Sequence, residues 1–283
     1  MTIERPWLAQ YPAGVPAEID VDEFQSIPAV LEQSIRQYGD RPAFTNMGKA
    51  LTYAQIYELS RQFAGYLLGE LKLKKGDRVA IMMPNCLQYP IAALGALRAG
   101  LTVVNTNPLY TARELEHQLS DSGATTIIIL ENFAHVLQEV LAHTPVKHIV
   151  LTNVGELLGF PKGAIVNFVV RHKRKQVKPY SLPNTKSFKQ ALAEGAGARL
   201  QPVQLTHEDI AFLQYTGGTT GVAKGAMLSH GNMVANVLQS EAWFSQIALD
   251  SATFYFALPL YHIFSLTANC LLGIRRGAIG ILV

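Results

Sequence analysis

The chain has 283 residues, 49% of them hydrophobic and 16% charged, which excludes a disordered or fibrous polypeptide and gives enough sequence for about two domains with a real core. Only two cysteines occur, Cys86 and Cys270, each inside an apolar stretch, so two buried thiols in a reducing compartment are expected rather than a disulfide framework. The formal net charge of +3 is uneven: residues 157–193 hold eight lysines and arginines and no acid, leaving the remainder acidic on balance.

Glu4, Arg5 and Pro6 are followed by no apolar run, unlike the layout of a secretory signal, and a cytoplasmic chain is expected. Thr52 and Gln55 match a capping box, and Ile56, Leu59, Phe63 and Leu67 recur at helical spacing, predicting a helix over 53–71. Gly76-Asp77 then turns the chain. A strand over 79–83, a helix over 87–98 stopped by Gly100, and a strand over 101–104 form a βαβ unit. The pattern repeats with a helix over 112–120, a strand over 125–130, a helix over 133–142 and a strand over 148–151. Continuous β-branched strands alternating with helices predict an α/β fold, with parallel-sheet layers covered by helices. Three parts are expected: a first α/β unit over 40–154, a basic connector over 155–206 with little periodicity, and the start of a second unit over 207–283. The span 251–274 carries no Lys, Arg, Asp or Glu, yet Pro259, His262 and Asn269 interrupt it, so a buried strand and helix are expected rather than a membrane span.

Residues 215–225 read Tyr-Thr-Gly-Gly-Thr-Thr-Gly-Val-Ala-Lys-Gly, between an apolar strand over 210–213 and a return strand over 226–228. Small residues let backbone N–H groups approach phosphate oxygens, hydroxyls donate to them, and a lysine neutralises their charge. The candidate phosphate-binding residues are therefore Tyr215, Thr216, Gly217, Gly218, Thr219, Thr220, Gly221, Lys224 and Gly225. A Walker A loop would place Gly-Lys-Ser/Thr at the start of a helix, whereas Val222 and Ala223 separate Gly221 from Lys224 here, which disfavours a P-loop NTPase.

This loop resembles the phosphate-binding signature of the acyl-adenylate-forming (AMP-binding) enzymes, with Gly217 where serine and Ala223 where proline is usual. Gly76-Asp77-Arg78-Val79, Met83-Pro84-Asn85, the run from Asn107-Pro108-Leu109-Tyr110 to Leu115, and Leu258-Pro259-Leu260-Tyr261-His262-Ile263-Phe264 resemble the bacterial long-chain fatty-acid–CoA ligase branch. The resemblance implies ATP-dependent activation of a long-chain fatty acid through an acyl-adenylate, with CoA as co-substrate and Mg2+ held by a residue outside this sequence. It implies a catalytic role for His262 beside the carboxylate, with Tyr261 and Phe264 near the acyl chain. The later aromatic-Gly-x-Thr-Glu motif and C-terminal lysine of that family are absent, so the chain reads as an incomplete N-terminal domain. The alternative is a catalytically silent fragment that retains part of an acyl and nucleotide site.

Phe160, Ile165, Val166, Phe168, Val169 and Val170 precede Arg171, Lys173, Arg174, Lys175 and Lys178. This arrangement suits peripheral contact with anionic lipid on the inner face of the cytoplasmic membrane. With no aromatic residue between these cations, nucleic acid is not an expected partner. His230 and Asn232 are expected to be structural, and Arg113 and Glu114 to form a surface pair or cap. The other histidines lack metal-ligand spacing.

Overall fold

A computed structural model describes residues 4–217, 222–247 and 252–283. Helix α1 (Ile27–Tyr38) leads into a hairpin of β1 (Pro42–Asn46) and β2 (Lys49–Thr52). The Thr52 hydroxyl accepts from Gln55 N–H, and the Gln55 side chain accepts from Thr52 N–H, so α2 (Tyr53–Gly69) starts where the capping box predicts. Next come β3 (Arg78–Met82), α3 (Gln88–Arg98), β4 (Thr102–Asn105), α4 (Ala112–Ser122), β5 (Thr126–Leu130), α5 (Ala134–Val140) and β6 (His148–Thr152). The helix expected over 133–142 is shorter, because 3₁₀ turns occupy Glu131–Phe133 and Leu141–His143.

Strand burial shows why these segments form a sheet covered on both faces. Val79 and Ile81 pack with α2, α3 and a helix over Phe188–Gly195, while Ala80 and Met82 pack with Leu115 and Leu119 of α4 and Leu137 of α5.

The region expected as a connector is folded. It holds α6 (Lys162–Phe168), a π-helical turn Val169–Lys173, β7 (Thr185–Ser187) and α7 (Phe188–Gly195). α7 repeats the capping box with Ser187 and Gln190, and buries Phe188, Ala191 and Leu192. Its last residue, Gly195, packs against the α2 backbone so closely that a Cβ there would lie 1.9 Å from Gln62 O. Arg171 is not a free cation: its Nη2 lies 2.6 Å from Oε2 of Glu131, a carboxylate with a side chain only 3% exposed. The pair ties the basic segment to the end of β5, and the carboxylate holds the guanidinium above its ordinary pKa.

The last part comprises β8 (Ile210–Thr216), β9 (Lys224–Ser229), α8 (His230–Trp243), β10 (Thr253–Phe256), a helical stretch formed by α9 (Ile263–Ser265), a π-helical turn (Leu266–Leu271) and α10 (Leu272–Arg276), and β11 (Ile279–Leu282). These strands build no sheet of their own. One sheet runs β7-β6-β5-β3-β4-β8-β9, parallel except for the β8–β9 hairpin, and the other runs β10-β11-β1-β2. The expected boundary between units at 40–154 and 207–283 is thus not a boundary between sheets: β8 extends the open side of β4, and β11 pairs with β1. Cys86 and Cys270 are both buried, and burial pushes each thiol up to about 12. Among the described residues no helix is long and apolar enough to cross a membrane.

Candidate functional site at the ends of β4 and β8

Strands β4 and β8 are neighbours, and a cleft of about 1080 Å³ opens beyond their carboxyl ends. Crevices there are the usual ligand sites of open α/β sheets. One wall comes from Asn105, Tyr110 and the α4 residues Arg113, Glu114 and His117; another comes from Gln214, Tyr215, Thr216 and Gly217; Tyr261 and His262 close it. Four of the expected site residues therefore meet here: Tyr215, Thr216, Gly217 and His262. Lys224 and Gly225 begin β9, paired with Thr216 and Tyr215 respectively. Gly218, Thr219, Thr220 and Gly221 lie outside the described residues. Lys224 is exposed, and its side-chain ammonium has no hydrogen-bond or ion-pair partner among the described residues.

Tyr215 fixes the base of the hairpin. Its ring lies against Gly225, where a Cβ would come within 2.9 Å of Tyr215 Cε2, so glycine is required for the ring to lie flat on β9. Its hydroxyl donates to Asp121 Oδ2. Burial, reinforced by that carboxylate, pushes the phenol far above its ordinary pKa, and it remains a protonated donor.

His262 caps the helical stretch that follows it. Its Nδ1 accepts from Phe264 N–H at 3.3 Å, so in the neutral ring Nε2 carries the proton. Nε2 has no partner among the described residues and is a donor suited to a carboxylate or phosphate oxygen. Tyr261 lines the cleft, whereas Phe264 is exposed outside its lining.

A buried polar network that the sequence reading missed holds this segment in place. Asn85 Nδ2 donates to Phe256 O (2.6 Å) and Leu258 O (3.1 Å), and Asn85 Oδ1 accepts from Leu260 N–H (2.8 Å). Asn105 Nδ2 donates to Gln214 Oε1, and Gln214 Nε2 donates to Tyr261 O. The Tyr89 hydroxyl lies 2.7 Å from Asn105 Oδ1 and 2.9 Å from Leu260 O. A polar residue closing an apolar strand, as Gln214 closes 210–213, is the signal that was available.

Glu114 acts as a cap, its carboxylate accepting from Thr111 N–H and Oγ1, and those bonds lower its pKa. It and Arg113 nevertheless face the cleft. His230 and Asn232 are structural: Asn232 completes a capping box with Ser229, and His230 is buried with Nδ1 accepting from Ile27 N–H. No group of three or more His, Cys, Asp or Glu placed to hold a metal ion occurs among the described residues.

The chain is similar to known ligases along its whole length. It is 53% identical over 282 residues to a long-chain-fatty-acid–CoA ligase of Escherichia coli O6:H1, covering 99% of this chain and 50% of that one. It is 48% identical over 285 residues to the enzyme of that name from Haemophilus influenzae, covering 99% and 50%. The fold superimposes on the crystal structure of a long-chain-fatty-acid-CoA ligase from Archaeoglobus fulgidus with a TM-score of 0.76, at 23% identity, covering 96% of this chain and 49% of that one. The chain thus spans about half the length of the relatives it matches. Residues 31–283 match the sequence profile of the AMP-binding enzymes, and the chain belongs to that family.

Proposed function

We propose that this chain supplies the phosphate- and carboxylate-binding half of a ligase that converts a long-chain fatty acid, ATP and CoA into acyl-CoA through an acyl-adenylate. The observation that carries this reading is the meeting of the hairpin start, Tyr215 to Gly217, with His262 in one cleft. The reaction needs a carboxylate oxygen to attack the α-phosphorus while pyrophosphate leaves, so charge must be screened at two points. Thr216, Gly217, Gly218, Thr219, Thr220, Gly221 and Gly225 offer backbone and hydroxyl donors to the β- and γ-phosphates, and Lys224 adds a positive charge. His262 Nε2–H donates to the carboxylate or the adenylate. Mg2+ accompanying ATP would be held by a residue outside this sequence, because Glu114, the carboxylate among the described residues of the cleft, is committed to Thr111.

The test is ATP–pyrophosphate exchange driven by a long-chain fatty acid. Exchange that falls at least tenfold in Lys224→Ala supports the reading, and exchange indifferent to Lys224 and His262 sinks it. No exchange, with MgATP still bound, would favour a second reading: a binding module without catalysis.

The same reading includes peripheral contact with anionic lipid. Phe160 (94% exposed), Ile165 (60%) and Phe168 (53%) are apolar side chains turned to solvent, and Lys173, Arg174, Lys175 and Lys178 follow them, all exposed. Each cation near such a surface contributes about 1 kcal/mol. Flotation with phosphatidylserine vesicles should weaken when Lys173, Arg174 and Lys175 become glutamine, and unchanged flotation would refute the contact.

A further inference from the structure

Two side chains one helical turn apart on α4 reach the two sides of the phosphate hairpin. His117 Nε2 lies 2.9 Å from Ala223 O, immediately before β9, and Asp121 accepts from the Tyr215 hydroxyl on β8. A carbonyl only accepts, so His117 Nε2 carries the proton, which fixes the tautomer. The imidazole and phenol rings meet edge-on, their centroids 6.5 Å apart at 86°. α4 is itself firmly seated: Leu115 and Leu119 are fully buried, and Gln118 Nε2 donates to Asn105 O at 2.9 Å.

We propose that His117 and Asp121 are positioning residues that clamp the base of the hairpin, so that Thr216, Gly217 and Lys224 are held in place for polyphosphate before the ligand arrives. The inference rests on the phosphate-binding reading of the hairpin. Neither residue has to touch the nucleotide. A loop whose ends are fixed by folding loses less conformational freedom on binding, and the ligand is held more tightly for the same contacts. Asp121 also explains why Tyr215 is a tyrosine: the phenol spans from the β9 backbone at Gly225 to a helix on the sheet face.

The experiment compares the 283-residue chain with His117→Ala and His117→Gln, the glutamine amide retaining an N–H donor. Backbone amide exchange and MgATP affinity are measured on each. In His117→Ala, exchange at residues 223–225 should quicken and MgATP should bind less tightly, each by about tenfold, as expected for one lost hydrogen bond. Protection within α4 should not change, and His117→Gln should restore both quantities to within about threefold of wild type. Should His117→Ala fail to fold, Asp121→Asn against Asp121→Ala makes the same comparison from the β8 side, because the asparagine carbonyl still accepts. Unchanged exchange at 223–225, or quickened exchange with unchanged MgATP affinity, overturns the proposal. If the wild-type chain does not bind MgATP while the exchange result is as described, the phosphate-binding reading fails and the clamp stands.

Discussion

His230 Nδ1 accepts a hydrogen bond from the backbone N–H of Ile27 at 3.3 Å, tying the first residue of α8 to the first residue of α1 across 203 positions of sequence. Burial lowers the His230 pKa from 6.5 to about 4, because the charged ring would be desolvated and would lose its acceptor. As pH falls below 6.5 the unfolded chain takes up this proton first. The stability held by the neutral ring is complete above that value and is lost progressively down to about 4. The loss is roughly 3 kcal/mol in size. Urea midpoints between pH 7.5 and 4.5 should fall faster for wild type than for His230→Asn, whose side-chain oxygen accepts without titrating. Parallel curves would refute the assignment.

Asn85 satisfies three backbone groups of the segment that carries His262. Asn85→Ala should cost about 2 kcal/mol, from the Phe256 carbonyl and the Leu260 N–H of two buried residues left without partners, the exposed Leu258 carbonyl turning to water. Asn85→Asp should be at least as damaging, since it sets an acceptor against two carbonyl oxygens. A urea titration of the three proteins checks the order, and a harmless aspartate would show that the amide is not the donor.

Glu131 is nearly fully buried, and Arg171 is its cationic partner. Removing only the arginine leaves a buried charge unpaired, and Arg171→Ala should destabilise by about 2 kcal/mol, moderated by the partial exposure of the guanidinium. Adding Glu131→Gln should recover most of that loss. A double-mutant cycle showing simple additivity would mean that the two side chains do not depend on each other.

Gly225→Ala forces the Tyr215 ring off β9. The expected cost is roughly 1 to 3 kcal/mol, as for other overpacked sites. MgATP binding should weaken in parallel, which calorimetry would read; an alanine variant matching wild type in both would show that the ring has room to move.

What the sequence disclosed follows the range of the interactions involved. The start of α2 was readable because Thr52 and Gln55 are three residues apart, and the pairing of β8 with β9 because both strands lie in one continuous run. α7 carries an equivalent local signal in Ser187 and Gln190, but the surrounding Gly, Pro and Lys hid it. Sheet order was not readable, since parallel pairs such as β4 with β8 join strands more than a hundred residues apart and depend on edges that no local pattern marks. The same holds within the site. His262 stood out by motif, whereas Asn105, Gln214, His117 and Asp121 matter through partners distant in sequence.

The placement of β11 between β10 and β1 bears on how the polypeptide is made. Asn46 donates to Leu282 O across 236 residues, and Phe44 pairs with Gly280. A ribosome adding about 5 to 20 residues per second leaves the β1–β2 hairpin waiting on the order of 10 to 50 s for its central partner. Throughout that interval one flank of β1 presents unpaired N–H and C=O groups, a template for other nascent strands. Translation speed between β2 and β11 therefore governs how long this edge stays open, and slow codons there would raise the yield of aggregates without altering a single contact in the finished fold.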